Sequence, residues 1–351
     1  MMAVTDLKPA NAYGDDMNDL MRSLDDPQFP WLGALIGSAV IGFWYWCTDQ
    51  YIVQRVLSGK NETESRRGTI FGAYLKLLPV FLFLIPGMVA LALHQKSLGA
   101  GATFLPLLPD GTPNADAAFP TLVAKILPAG VKGLVVCGIL AALMSSLASL
   151  FNSSAMLFTI DFWKRLKPQT SEKSLVRIGQ IATVVIVILG ILWIPIMRSV
   201  GNVLYNYLQD VQSVLAPGIA AAFLLGITWK RASAKGGQWG LLSGIIIGLT
   251  RLGAKVYYSN TTDAPDSWFK AVFYDFNWLY FCGAMLVICC LVIIVVSLIT
   301  EAPSKEKIQG LVFGTSTPEQ IAATRASWNK WDVIHTVIII SITIAFYIYF
   351  W

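Results

Sequence analysis

The sequence predicts an all-α integral membrane protein with about eight transmembrane helices. Hydrophobic residues make up 55% of its 351 residues and charged residues only 13%, whereas charged residues form roughly 25% of an ordinary soluble domain. Apolar stretches of about 20 residues, the length that crosses a hydrocarbon core, recur along the chain. A lone lysine, Lys76, lies inside one of them, between Gly68 and Leu93. Since a charge at membrane depth is costly, this lysine indicates a buried polar site.

Eight apolar stretches are candidate spans. In chain order they are Phe29–Thr48, Gly68–Leu93, Gly133–Ile160, Ile178–Met197, Val203–Trp229, Gly236–Leu252, Phe276–Thr300 and Val333–Trp351. The sixth is the weakest, because its uncharged part ends at Thr250. We expect Arg251, which follows, to extend its side chain to the membrane surface.

The loops predict the orientation, because Lys and Arg concentrate on the cytoplasmic side of a membrane protein. Alternate loops hold sixteen basic residues, namely Arg55, Lys60, Arg66, Arg67, Lys164, Arg165, Lys167, Lys173, Arg177, Lys230, Arg231, Lys235, Lys305, Lys307, Arg325 and Lys330. We therefore expect a multi-pass protein of the plasma membrane with both termini of this chain external. The net charge of +5 reflects the same bias, and we do not expect nucleic-acid binding.

The residues that enzymes most often use are scarce in this chain. Its two histidines, His94 and His335, lie near the ends of predicted spans, and its five cysteines fall inside spans without metal-ligand spacing. Histidine-dependent metal sites and catalytic triads therefore have almost no candidates. We do not expect an enzyme.

The acidic segment 1–28 precedes the first span and is predicted to be external. It carries six aspartates against one lysine and one arginine, and it lacks the basic and apolar regions of a signal peptide. Such a segment is more typical of a loop between two spans than of a natural start. We therefore expect the chain to be the carboxy-terminal part of a longer protein.

Three adjacent aromatic residues end the first span, Trp44, Tyr45 and Trp46, and the following segment is polar. An aromatic belt at the membrane surface is one explanation. A binding site is the other, because the second span carries Lys76 and enters from the same side. Aromatic rings beside a buried cation suit a polyhydroxylated ligand, which can stack on a ring while its hydroxyls accept hydrogen bonds.

The third and fifth spans also carry polar groups at helical spacing. Ala142, Ser145, Ser149 and Asn152 share one helix face. Small residues on one face allow close helix packing, and hydroxyl and carbonyl oxygens also suit a hard cation such as Na⁺. The polar residues of the fifth span are Asn206, Gln209, Asp210, Gln212 and Ser213, followed by Pro217.

Taken together, these segments resemble the sodium/solute symporter family, in particular its sodium/glucose cotransporter branch. The resemblance is carried by WYWCTDQYIVQR at Trp44–Arg55, GAYLKLLP at Gly72–Pro79, LAALMSSLASLFNSS at Leu140–Ser154, YLQ at Tyr207–Gln209 and FLLGITWKR at Phe223–Arg231. It covers nearly the whole chain, but only about the last eight helices of a family that usually has fourteen.

The resemblance implies a transporter core of two inverted five-helix repeats, with solute and sodium held between them. Residues 29–229 would form the second repeat. Residues 230–351 would form three peripheral transmembrane helices with a cytoplasmic loop near 301–331. The first repeat would be missing from this chain, which we then expect to be inactive alone and to require that amino-terminal repeat as its partner.

Carried over by position, the resemblance implies a role for each site residue. Tyr45 would be the aromatic inner gate below a glucose- or galactose-like sugar, with Trp46 beside it. Lys76 and Gln209 would donate hydrogen bonds to the sugar. The sodium site would include the carbonyl of Ala142 and the hydroxyls of Ser145 and Ser146. Gly42 departs from the family pattern, since relatives place a hydroxyl- or amide-bearing sugar contact there.

Two alternatives remain open at this stage. The cargo of a sodium symporter with this sequence could be another polyol or small organic solute, because Gly42 alters the sugar site. The chain could also belong to a membrane sensor or binding protein that does not transport. In either case the lipid bilayer and a small-molecule ligand are the expected partners, and Na⁺ is the expected coupling ion of the transporter.

Overall fold

The computed structural model describes residues 21–99, 101–108, 111–200, 204–261 and 265–349, without the side chains of residues 196, 198–200 and 206. Most of the acidic segment 1–28 and the Asn206 side chain thus lie outside the described residues. The α-helices are α1 (Trp31–Cys47), α2 (Gln50–Leu57), α3 (Glu62–Pro79), α4 (Ile85–Leu98), α5 (Ala118–Ile126), α6 (Ala129–Leu157), α7 (Lys164–Leu166), α8 (Glu172–Val200), α9 (Leu204–Thr228), α10 (Ala234–Ser259), α11 (Trp268–Lys270), α12 (Trp278–Ile299), α13 (Lys305–Ile308), α14 (Pro318–Ala326) and α15 (Lys330–Tyr349).

Seven helices of the described residues are long and apolar enough to cross a membrane, and the bent pair α1 and α2 makes an eighth. The all-α membrane fold with about eight spans is therefore confirmed. One of these spans is Glu62–Leu98, in which a π-helical segment, Val80–Leu84, joins α3 to α4. Besides the α1–α2 pair, four spans begin or end four or more residues beyond their predicted apolar stretches, because polar residues at their ends continue the helical backbone.

The break between α1 and α2 is built by two polar residues. The Trp44 carbonyl accepts the backbone N–H groups of Thr48 and Asp49 at 3.0 and 3.1 Å, which ends α1. The Asp49 carboxylate then accepts the Tyr51 N–H at 2.9 Å and caps α2. The two helices are bent by 50°, so the aromatic residues at the end of α1 lie directly before the break in this span.

The described residues fall into two compact units. Among them, the residues up to Leu78 and those from Tyr205 onward form the first unit, and those between Pro79 and Leu204 form the second. In the second unit, α6 packs against α8 and α4 packs against α5. Buried His94 holds the segment between α4 and α5, because its Nδ1 accepts the Leu105 N–H at 3.1 Å.

The core of the first unit lies among α1, α9, α10 and α12. Val40 and Ile41 of α1 pack with Cys282 of α12 and with two alanines of α9, Ala216 and Ala220. Glycines bring other pairs of backbones together. A Cβ on Gly244 of α10 would lie 2.9 Å from the Cα of Gly218 in α9, which is closer than side chains approach backbone. This is the small-residue packing expected between membrane helices.

Arg251 does not extend to the membrane surface, and the sequence-based expectation is wrong. The residue is 1% exposed. Its Nη2 lies 3.6 Å from Asp210 Oδ1 and donates to the Phe276 carbonyl at 2.8 Å. The reason is that α9 supplies a counter-charge inside the protein, which removes the need to reach the surface.

Segments predicted to be cytoplasmic contact one another within the first unit. Ser327 accepts hydrogen bonds from Thr63 through its carbonyl and from Arg66 through its hydroxyl, at 3.0 and 2.8 Å. Arg231 donates to the Thr300 carbonyl at 2.7 Å. At the opposite helix ends, Asn277 donates to the Pro27 carbonyl. Each of these hydrogen bonds joins two segments that the predicted topology places on the same side of the membrane.

Candidate functional site

Two of the predicted sugar ligands, Trp46 and Lys76, come together with Tyr45 in the first unit. Tyr45 and Trp46 end α1, directly before the break, and their ring centroids are 5.2 Å apart at an interplanar angle of 88°. The Lys76 Nζ, from the last turn of α3, lies 5.3 Å from the centroid of the Trp46 ring. A cation at this distance from an indole face is electrostatically attracted to it.

The ammonium of Lys76 is available to a ligand. Within the described part of the chain it forms no ion pair and no hydrogen bond, and its residue is exposed. Trp46 is also accessible, with 49% of its surface exposed. An ammonium with three donors beside an indole face can bind hydroxyl groups while the ring covers the apolar face of the same ligand.

Gln209 lies near the start of α9, and its amide Nε2 donates to the Tyr205 hydroxyl at 2.9 Å. Ala216 and Ala220 follow Gln209 by seven and eleven residues, so the three lie on one face of α9. These two alanines pack in the cluster that includes α1. Among the described residues, no hydrogen bond joins Gln209 to Trp46 or Lys76. The structure thus brings three of the four predicted sugar residues together and puts the fourth on a helix packed against the same α1.

The three predicted sodium residues lie in the second unit, on α6. Ala142, Ser145 and Ser146 are all exposed, and neither serine hydroxyl has a hydrogen-bond partner in the described residues. The Ser154 hydroxyl of the same helix likewise has no partner in the described residues, whereas the Thr159 hydroxyl donates to the Ala155 carbonyl at 2.7 Å. Two unpartnered hydroxyls within an apolar helix fit ligation of a hard cation, which prefers oxygen ligands.

Acidic, histidine or cysteine clusters that could hold a metal are absent from the residues that the structure describes. A cation bound by this part of the chain would therefore be held by hydroxyl and carbonyl oxygens. This donor set suits Na⁺ better than a transition metal, which prefers imidazole or thiolate ligands.

A charged cluster that the sequence did not predict joins α9 to α10. Asp210 lies between Arg251 and Lys255, whose Nζ is 2.5 Å from Asp210 Oδ2. The signal was present, since Arg251 and Lys255 are four residues apart and share a face of α10. It was missed because hydropathy along one helix gives no information on charges carried by another.

The profile of the sodium:solute symporter family matches residues 1–244. Among curated proteins, the sodium/myo-inositol cotransporter 2 of Homo sapiens is 38% identical over 312 residues, which are 87% of this chain and 46% of that protein. The sodium/mannose cotransporter SLC5A10 of Bos taurus is 35% identical over 348 residues, 95% of this chain and 58% of that protein. The sodium/glucose cotransporter 4 of Mus musculus is 38% identical over 303 residues, 85% of this chain and 44% of that protein.

These matches agree on one class of protein. The chain spans about half the length of the curated relatives, and all three are named as cotransporters. The expectation that the chain is not an enzyme is thereby confirmed. Together with its apolar helices, the match identifies a multi-pass membrane protein. Since the profile covers more than half of its residues, the chain belongs to the sodium:solute symporter family.

Proposed function

We propose that this chain is the carboxy-terminal part of a sodium-coupled symporter that carries a glucose- or galactose-like sugar into the cell. The observation that carries the proposal is the unpaired Lys76 ammonium over the ring of Trp46, an exposed residue beside Tyr45 at a broken span. This arrangement offers a stacking surface and hydrogen-bond donors to one polyhydroxylated ligand. Relatives named for glucose, mannose and myo-inositol support the same ligand class.

In this proposal Na⁺ is a co-substrate held by the Ala142 carbonyl and by the hydroxyls of Ser145 and Ser146. Sodium binding from outside favours the outward-open state, and the sugar then binds to Trp46, Lys76 and Gln209. Tyr45 is the gate that moves aside for release to the cytoplasm. Each Na⁺ that enters gains about 2.3 kcal/mol per 100 mV of inside-negative potential, and coupling transfers this free energy to the sugar.

We further propose that residues 29–229 are the second inverted repeat, that residues 230–351 are peripheral, and that the first repeat is needed for transport. The exposure of Ser145 and Ser146 supports this, because two hydroxyls and a carbonyl do not complete the shell of a cation. The match to about half of each relative supports it as well. The chain alone is then inactive, and the missing repeat is its partner.

The proposed location is the plasma membrane, with both termini of this chain external. Support comes from the sixteen basic residues in alternate loops. The hydrogen bonds that join the loops assigned to the cytoplasm support only their grouping on one side of the membrane. Labelling of single cysteines in the loops by a membrane-impermeant reagent tests it.

Uptake of labelled glucose and galactose into proteoliposomes tests the function. This chain is compared with the same chain extended upstream in its reading frame. We expect sodium-driven uptake from the extended chain and none from this chain. Robust uptake by the short chain would show that the first repeat is not required.

A different cargo is the second candidate, because a Cβ on Gly42 would meet no described atom within 4 Å. The space left there could be filled by a larger or differently substituted polyol, and two relatives are named for myo-inositol and mannose. Competition of unlabelled polyols and small organic solutes with the labelled sugar distinguishes the cargoes. A sensor without transport would instead bind sugar equally with and without Na⁺.

Replacement of Lys76 tests whether the ammonium over the Trp46 ring binds the solute. Lys76→Gln removes the ammonium, and we expect the solute concentration for half-maximal uptake to rise about tenfold or more, since hydrogen bonds to charged groups contribute about 1.5–3 kcal/mol. The measurement is labelled-solute uptake by the extended chain at fixed Na⁺. Lys96→Gln, at the exposed end of α4, is the matched control and should leave this concentration unchanged. Equal effects of the two variants would contradict the site.

A further inference from the structure

The charged cluster between α9 and α10 holds two cations around one carboxylate. Arg251 is 1% exposed, and its guanidinium also lies over the Phe281 ring at 4.0 Å from the centroid. The Arg251 Nε and Nη1 groups and the Asp210 Oδ1 atom are buried without hydrogen-bond partners among the described residues. Asp210 is the carboxylate that compensates both Arg251 and Lys255, so the cluster depends on its side chain.

This cluster determines the rotation of α9 against α10. Close approach comes from glycines, because Gly244 meets Gly218 and a Cβ on Gly248 would lie 2.6 Å from the Val214 carbonyl oxygen. Glycine contacts permit small rotations, since they have no side chain to interlock. A carboxylate between two cations in an apolar surrounding tolerates few positions, because moving it leaves buried charges unpaired.

Gln209 directly precedes Asp210, so their side chains leave α9 about 100° apart at 3.6 residues per turn. The Asp210 side faces α10. The Gln209 side is the stripe that continues through Ala216 and Ala220, which pack against Val40 and Ile41 of α1. A rotation that keeps Asp210 between its cations therefore keeps Gln209 on the side of α1, the helix that carries Tyr45 and Trp46.

We propose that Asp210, held by Arg251 and Lys255, is a positioning residue for Gln209 in solute binding. This inference rests on the proposed function, in which Gln209 donates a hydrogen bond to the sugar. Asp210 itself contacts no solute. Its carboxylate fixes the rotation of α9, and the peripheral helix α10 thereby contributes to the solute site.

A double-mutant cycle on uptake by the extended chain tests the proposal. Asp210→Asn should raise the half-saturating solute concentration about fivefold or more, within the range of coupling energies between neighbouring residues. The half-saturating Na⁺ concentration should stay unchanged, and Asp210→Glu should retain most of the solute affinity. In a Gln209→Ala background, Asp210→Asn should have no further effect. Independent effects of the two substitutions, or an equal effect on Na⁺ and solute, would overturn the proposal.

The cycle also separates this inference from the function on which it rests. If Gln209→Ala leaves solute affinity unchanged, Gln209 is not a sugar ligand and that part of the proposed function fails. If Gln209→Ala weakens solute binding and Asp210→Asn does not, only the positioning role fails.

A measurement that needs no transport tests the rotation itself. Gln209→Cys is introduced into this chain in nanodiscs with the exposed cysteines removed by Cys47→Ser and Cys137→Ser. The rate of labelling by a water-soluble thiol reagent is then compared with and without Asp210→Asn. We expect a several-fold change in rate at position 209 and none at a Leu224→Cys control on the same helix. A change at both positions would indicate general unfolding, and a change at neither would show that α9 keeps its rotation; each overturns the proposal.

Discussion

Gly248→Ala is expected to destabilise the first unit. Among the glycines of α10, Gly248 is the one at which a new Cβ would come closest to a backbone atom. The new Cβ would lie 2.6 Å from the Val214 carbonyl oxygen and 3.3 Å from its carbonyl carbon. Both atoms belong to the backbone of α9, so the helices must separate. Overpacking of this kind costs about 1–3 kcal/mol, and the apparent melting temperature in detergent should fall by several degrees.

Gly253→Ala is the matched control for this prediction. It lies in the same helix, and a Cβ there would meet no atom within 4 Å. Alanine favours helix over glycine by about 0.8–1.0 kcal/mol, so this variant should be as stable as the parent or slightly more stable. Equal melting temperatures for the two variants would show that α9 and α10 do not approach closely at Gly248.

The double variant Ser145→Ala with Ser146→Ala is expected to abolish most sodium-driven uptake at moderate Na⁺ concentrations. It removes two unpartnered hydroxyls of α6, and a hard cation has no substitute for lost oxygen ligands in an apolar segment. The half-saturating Na⁺ concentration of the extended chain should rise at least about tenfold, equivalent to about 1.4 kcal/mol. Uptake measured over a series of Na⁺ concentrations gives this value.

Ser154→Ala provides the control, because Ser154 lies farther along the same helix and outside the predicted sodium site. It should leave the half-saturating Na⁺ concentration unchanged. If the double variant retained the sodium dependence of the parent, neither serine would be a sodium ligand. A sensor without sodium coupling would also be insensitive to the double variant.

The sequence predicted the fold well where a single helix carries the information. All eight spans appear, because hydropathy along one segment determines whether it can cross a membrane. The bend after Cys47 coincides with the polar segment that follows the aromatic residues, since Asp49 caps a new helix. Arg251 was misplaced because its partner, Asp210, lies on a different helix.

The same distinction applies to the candidate site: residues that are conspicuous within one segment were predicted, and those that depend on helix pairing were not. The aromatic residues and Lys76 could be selected from the sequence because a charge in an apolar stretch is conspicuous, and the structure brings Lys76 to Trp46. Ser145 and Ser146 were selected by resemblance, and their role stays a prediction. The spacing of Arg251 and Lys255 placed two cations on one face of α10, but their pairing with Asp210 could not be derived from the sequence, because it depends on how α9 rotates against α10.

The most direct test of sodium-coupled symport is uptake of labelled glucose by the extended chain under an inward Na⁺ gradient, against an equal K⁺ gradient. We predict transient accumulation above the external concentration with Na⁺ alone, abolished by an ionophore that collapses the sodium gradient. Equal uptake with Na⁺ and K⁺ would contradict the account, because the sugar would then move without sodium coupling.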